Sequence, residues 1–424
     1  MVNKSSKVIF FASLGGVLEL YDFIIYALLS SYLSYNFFPI DNKNISLTLT
    51  LATFAIGYVI RPLSGLIFGH QGDSIGRKKP FTLTVLMMAL STLLIGFLPT
   101  YHQVGMLAPL ALIGLRVFQG FSVGGEIPGG ITYLSEIAPK NKSTVCSLLF
   151  FCLVGGTVLG LCTNLILHSI YTTTQINAFA WRIPFIFGGI LGLISFIIRK
   201  HLVESPVFES MLKEKTSFET KMPLKQLFKS SPREVVAGLF LTCSGASSVV
   251  VFFLLLPTFL GQLQNYPTDY ILNSSTLGLT GCCATIVLFG YLVDRFNMPL
   301  KLCFGITCLA TIFISIYVFQ LFEYKVPNLL LPMVLSAISA GLFSSLIPTI
   351  LSILFPANVR YSGIAFVYNI SMATVGGLAP VISLSLIRTT HSVMAPGYYQ
   401  AVLATLGFVG LWMLKDRRLE LKSK

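Results

Sequence analysis

The chain has 424 residues, 54% of them hydrophobic and only 11% charged. Soluble domains carry roughly 25% charged residues, so this composition excludes a compact globule clothed in polar surface and implies an apolar solvent. The net charge of +13 would suggest nucleic acid in a soluble protein, but here the basic residues are sorted by loop.

Apolar runs of about 20 residues, enough to cross roughly 30 Å of hydrocarbon, recur along the chain. The first covers 8–33 and carries Glu19 and Asp22, which makes it too long and too charged for a cleavable leader. Runs at 48–69, 80–98, 104–135, 144–168 and 182–198 complete a first half. A mixed-charge stretch, 199–233, follows, with Lys213, Glu214, Lys215, Glu219 and Lys221. Runs at 235–260, 272–293, 299–320, 327–354, 361–387 and 397–414 form a second half. None alternates as a strand does, and in lipid only helices and closed barrels satisfy the backbone. The expectation is an all-α membrane protein of twelve transmembrane helices in two six-helix bundles, with bundles at 1–198 and 234–424 and a linker over 199–233.

Of 29 Lys and Arg, 23 fall on one side of this topology, including the 70–80 loop, 199–233 and the tail. Lys43, Lys325 and Arg388 lie opposite, and Arg61, Arg116 and Arg182 sit in or beside helices. The positive-inside rule then makes both termini cytoplasmic in a multi-pass protein, with anionic lipid headgroups as neighbours. The eight cysteines all fall inside helices without metal-ligand spacing and read as small hydrophobes. No P-loop and no nucleophile–base arrangement is present, so neither a nucleotide site, an enzyme, a cofactor nor a metal is expected.

Only Glu19, Asp22 and Glu126 are carboxylates well inside spans. Each costs at least ~2.5 kcal/mol on insertion scales, so a polar pathway is the default reason for them. Glu19 and Asp22 are three apart and share a helix face, with Tyr26 one turn on. Carboxylates that close disfavour double ionisation, the property a proton-coupling group needs. The alternative is that they only bond neighbouring helices or a buried arginine. Arg116 and Glu126 lie about 15 Å apart along one helix and must find partners elsewhere, Glu19 or Asp22 in the case of Arg116. Arg61 could bind an anionic substrate group, cap a gate, or reach toward the interface.

A short repeat relates the halves. Gly69 to Asp73 and Gly290 to Asp294 share one spacing, each just past the second helix of its half. Such repeats place a substrate site between halves near the midplane. Asp73 could accept bonds at a helix N-terminus of the other half, and Arg77 could pair with Glu136. With Asp294 and Arg295 these form a candidate latch. In the second half mid-span polarity is neutral: Thr242, Ser244, Ser247, Ser248, Ser344, Ser345, Tyr368 and Asn369.

The segments Gly69-x-x-x-Asp73-x-x-Gly76-Arg77-Lys78 and Arg116-Val117-Phe118-Gln119-Gly120 resemble motifs of the major facilitator superfamily. Glu19-Leu20-Tyr21-Asp22-Phe23, Gly120 through Glu126, Trp181-Arg182-Ile183-Pro184-Phe185, Glu204-Ser205-Pro206-Val207-Phe208 and Val359-Arg360-Tyr361-Ser362-Gly363 are similar to its metabolite–proton symporter family. Phe296-Asn297-Met298-Pro299 departs from the basic run usual in the second loop. The long coiled-coil tail of osmosensing members is not expected. The resemblance implies a monomeric, proton-coupled carrier of a small organic solute in a bacterial inner membrane, and assigns Arg116 to proton transfer. Family members carry proline, betaine, shikimate, citrate and α-ketoglutarate. The expected function is proton symport of a carboxylate or zwitterion by alternating access. The alternatives are a proton-antiporting exporter and a non-transporting sensor. Glu19, Asp22, Arg116 and Glu126 are the proton-coupling candidates. Tyr26, Arg61, Gln119, Ser244, Ser248, Tyr368 and Asn369 are the substrate candidates.

Overall fold

The computed structural model describes residues 9, 12–40, 42–214, 223–262 and 264–414. Lys4, Lys7, Lys215, Glu219, Lys221 and the basic residues after Leu414 lie outside the described residues. Among the described residues every regular element is helical. Helix α1 runs over Gly15–Leu28 and turns by 66° into Ser30–Phe37. It is followed by α2 (Lys43–Ser74), α3 (Lys78–Phe97), α4 (Leu107–Ile137), α5 (Lys142–Ile170) and α6 (Arg182–Lys200). The second half holds α7 (Pro232–Leu255), α8 (Thr268–Arg295), α9 (Leu300–Glu323), α10 (Leu330–Leu354), α11 (Ala357–Thr390) and α12 (Ala395–Trp412). Ten of these, α2 through α11, are long and apolar enough to span a membrane alone, and α1 qualifies when its bent segments are joined. Helix α12 falls outside this set; it is 18 residues long and carries Tyr398, Tyr399 and Gln400 in its first turns.

Two bundles result. In the first, α3 packs on α6, α2 on α4 and α1 on α5; in the second, α8 packs on α10 and α12 on α7 and α9. The bundles meet through α2 against α11 and α5 against α8, two pairings related by the internal repeat. Small residues set the closest approach, as membrane helices require without a hydrophobic drive between them. A Cβ on Gly124 of α4 would lie 2.5 Å from the Arg61 carbonyl of α2. Local π-helical turns interrupt α7 at Val250–Leu255 and α11 at Met372–Gly376, a distortion that often marks functional sites.

The linker begins later than the apolar run suggests. Arg199 and Lys200 form the last turn of α6, because Arg199 is fully buried and held by the first bundle. Short helices at Pro206–Lys213 and Pro223–Ser230 follow. The face of the molecule at these residues, the 70–80 loop and Arg360 is called the basic face below.

Candidate functional site

Among the described residues, four buried acid–arginine sites are stacked along the first bundle. Nearest the basic face, Arg77 meets Asp73 at 3.2 Å and Glu136 at 3.4 Å, and Arg360 of the second bundle meets Glu136 at 2.7 Å. Deeper, Glu126 pairs with Arg199 at 2.7 Å. One turn further along α1, Glu19 pairs with Arg61 at 3.3 Å. Deepest, Asp22 pairs with Arg116 at 2.8 Å. Charges this deep persist only when paired, because an isolated ion in low dielectric is far costlier than the pair.

The pairs are held differently. Asp22 is saturated: Arg116 donates to one oxygen, while Gln119 (2.9 Å) and Thr92 (3.0 Å) donate to the other. The Arg116 guanidinium also lies 3.5 Å from the Tyr26 ring centroid. Tyr26 and Gln119, expected at substrate, are therefore parts of the Asp22 network. Glu126 accepts from Arg199 (3.0 Å) and from Thr84 (2.8 Å), and Arg199 also donates to the carbonyls of Phe81 and Ala12. Glu19 and Arg61 are an ion pair that shares no hydrogen bond, and the Glu19 Oε2 and the Arg61 Nε and Nη2 are buried without a hydrogen-bond partner, as are Glu126 Oε1 and Arg199 Nε. Glu19 and Asp22 thus each take their own arginine, which offsets the mutual repulsion their spacing implies.

A cavity of about 520 Å³ lies between the bundles, and Glu19 and Arg61 are the charged groups in its wall. The rest is mainly apolar and aromatic, with Phe23, Tyr58, Phe150, Phe253, Phe343 and Tyr368 prominent. The Arg61 guanidinium stands 4.7 Å from the Phe23 ring centroid and 4.5 Å from that of Tyr58. Arg61 is 2% exposed, which removes the interface-reaching reading. From the second bundle Thr242, Ser275, Ser344 and Tyr368 supply hydroxyls. The π-helical turns of α7 and α11 border the same space. The cavity extends away from the basic face, reaching Leu28 of α1 and Leu272 of α8.

Three substrate candidates sit elsewhere. Ser244 and Ser248 face α12: Gln400 donates to the Ser248 hydroxyl at 2.7 Å and to the Ser244 carbonyl at 3.2 Å. Asn369 crosses the seam between bundles and donates to the Gly124 carbonyl at 2.8 Å. Ser345 is likewise a seam residue, bonded to Ser147 of α5 at 2.8 Å. Thr92, Thr84 and Arg199 went unnoticed in the sequence. The two threonines carry no signal in an apolar run, whereas Arg199 had one, a cation where the run ends.

At the basic face the bundles are closed by two seams. Asp73 accepts from the backbone N–H of Tyr361 (3.1 Å) and Ser362 (2.9 Å), at the N-terminal end of the α11 helix. Asp294 accepts from the N–H of Ser143 (3.3 Å) and Thr144 (2.7 Å), in the first turn of α5. Both carboxylates thus face the positive end of a helix of the other bundle. Arg77 is fully buried and also donates to the carbonyls of Gly72 and Ala357, while Arg295 is exposed at the end of α8 and adds nothing to its seam. Among the described residues no group of three or more His, Cys, Asp and Glu side chains could hold a metal.

Residues 12–380 match the family model described as Major Facilitator Superfamily. A proline/betaine transporter of Escherichia coli (strain K12) is 31% identical over 99% of this chain and 86% of its own length. Among solved structures, the proton:xylose symporter XylE bound to 6-bromo-6-deoxy-D-glucose superposes with a TM-score of 0.80 at 17% identity, covering 98% of both chains. The inward-open conformation of XylE from E. coli superposes less well, with a TM-score of 0.67 at 16% identity over 98% of each chain.

Proposed function

Because this chain belongs to the major facilitator superfamily and is a multi-pass membrane transporter, we propose that it imports a small zwitterion together with a proton by alternating access. The reading places the protein in a bacterial inner membrane with the basic face in the cytoplasm. The state described here is then closed to the cytoplasm. The E. coli relative, a proline/betaine transporter, makes proline and betaine the first compounds to try.

The observation that carries the reading is the Glu19–Arg61 pair in the wall of the apolar cavity. The pair is neutral as a whole. A zwitterion offers a carboxylate to Arg61 and a cationic head to the aromatic wall of the same cavity. The ligand carboxylate takes Arg61, whose Nε is unpartnered. Its ammonium meets the faces of Tyr58 and Tyr368, where a cation is held by the ring quadrupole. Once the ligand carboxylate takes Arg61, Glu19 loses its counter-ion, and a buried carboxylate without one takes a proton rather than remain charged. Substrate and proton then enter together. Asp22, already holding three donors, sets the position of Arg116 and α4 and does not exchange partners with substrate.

The test is internal pH in proteoliposomes that hold the purified protein and a pH dye. Zwitterions such as proline or betaine should acidify the interior, and Glu19→Gln should abolish the acidification while retaining exchange of labelled substrate. Acidification by dicarboxylates alone would overturn the zwitterion assignment. Alkalinisation on adding substrate would make the protein an antiporting exporter.

A further inference from the structure

Tyr361 belongs to the second bundle, yet its ring is inserted into the first and is fully buried there. Two glycines shape the slot. A Cβ on Gly72 of α2 would lie 1.8 Å from the Tyr361 ring, and one on Gly129 of α4 would lie 2.3 Å from its hydroxyl oxygen. The hydroxyl donates to the carbonyl of Gly125 at 2.8 Å, the residue before Glu126. The same Gly129 position meets the ring of Phe81, whose carbonyl binds Arg199 and whose face carries the Arg199 guanidinium at 3.7 Å. Tyr361 therefore lies between the Glu126–Arg199 pair and the basic-face network of Asp73, Arg77 and Glu136. Its backbone N–H is one of the two that Asp73 accepts from. Latch and plug are one residue.

On the inner side, Glu126 and Arg199 abut α1 at Gly15. A Cβ there would lie 2.0 Å from Arg199 Nη2 and 2.8 Å from Glu126 Oε1. Glu19 is four residues on, one turn along the same face of α1. The charged and titratable groups around Glu126 are thus Arg199, Glu19 across Gly15, and Tyr361. Thr84 adds a hydroxyl.

We infer that Glu126 is the exit station for the proton and that the Tyr361 ring is its gate. This rests on the proton-symport reading given above. A proton leaving the Glu19 carboxyl passes to the Glu126 carboxylate beside Gly15. While the basic face is closed, the ring bars water from Glu126 on that side. Separation of α2 from α11 breaks the Asp73 contact and withdraws the ring. The Glu126 carboxyl then gives its proton to water, and the carboxylate pairs again with Arg199. Proton release is therefore timed to opening by a single side chain.

The experiment is proton flux into proteoliposomes under an imposed pH gradient with no substrate present. Tyr361→Ala should leak protons about tenfold faster than wild type, the size of an open-state population shift of that order. Adding Glu126→Gln to it should return the flux to the wild-type level. Tyr361→Phe, which keeps the ring, should stay tight. Gly72→Ala expels the ring without changing it and should leak as Tyr361→Ala does, which covers the case that Tyr361→Ala fails to fold. A leak that persists in Tyr361→Ala/Glu126→Gln, or tight vesicles with both Tyr361→Ala and Gly72→Ala, would overturn the inference. Because these fluxes are measured without substrate, they stand apart from the zwitterion test. A Glu126-dependent leak with no substrate-driven acidification in wild type would uphold the gate and sink the symport reading.

Discussion

At the α2–α11 seam, Asp73 is fully buried and sits in a network with Arg77, Glu136 and Arg360. At the α8–α5 seam, Asp294 accepts the same kind of helix-end bonds, and the cation that follows it, Arg295, is exposed. The sequence differences are small. Four residues after Asp73 comes Arg77; four after Asp294 comes Met298. Three residues before the proline that closes α4 stands Glu136; at the matching place before Pro356 stands Ile353. One half therefore supplies both the acid and the arginine of a buried network, and the other supplies only a cap. The comparison teaches that a repeated backbone plan fixes where a carboxylate meets a helix end, while neighbouring side chains decide how much breaking that contact costs.

Substitution can break the comparison. Asp73→Asn leaves a buried arginine with half its counter-charge, a loss of about 3–5 kcal/mol where one partner of a buried pair is removed. The equilibrium between closed and open basic face should shift by a factor of about 10² or more, and turnover should fall with it. Spin-label distances between α2 and α11 would report the opening, and substrate affinity in a locked state should be unchanged. Unaltered distances and turnover would remove the latch. Asp294→Asn loses only charge-assisted bonds at a half-buried site, about 1.5 kcal/mol, so its shift should be roughly tenfold. An effect equal to that of Asp73→Asn would show that the cap, not the ion network, holds the face closed. Arg295→Ala removes an exposed cation and should change initial uptake by less than about twofold, as surface substitutions do. A larger loss would give Arg295 a part in the cycle that its exposure does not suggest.

The same asymmetry runs through the membrane. The first bundle carries the three deep carboxylates and their arginines, while the second meets the cavity with hydroxyls and rings. Buried charge and the ion network of the basic face are concentrated in one half. Tyr361, like Arg360 and Asn369, crosses between the bundles, a second-bundle ring lodged in a first-bundle slot.

Helix number, the division of the chain into halves and the three costly acids were legible in the sequence, because each follows from local chemistry. A run of about 20 apolar residues has one stable form in lipid, and a carboxylate within it stands out against its cost. The contact of Asp73 with a helix end of the other half followed from the repeat and the helix dipole. The pairing of Arg77 with Glu136, and of Arg116 with an acid of the first helix, also followed, but the arginines that Glu19 and Glu126 take did not. Glu126 found Arg199, a residue that charge pattern alone assigns to the linker, and Glu19 found Arg61 while Asp22, three residues on, turned to Arg116. Ser244 and Ser248 turned toward α12 and away from the cavity. The physical reason is common to all of these. A helix apolar on every side carries no stripe from which its rotation can be read, so only the packed bundle decides which polar atoms meet.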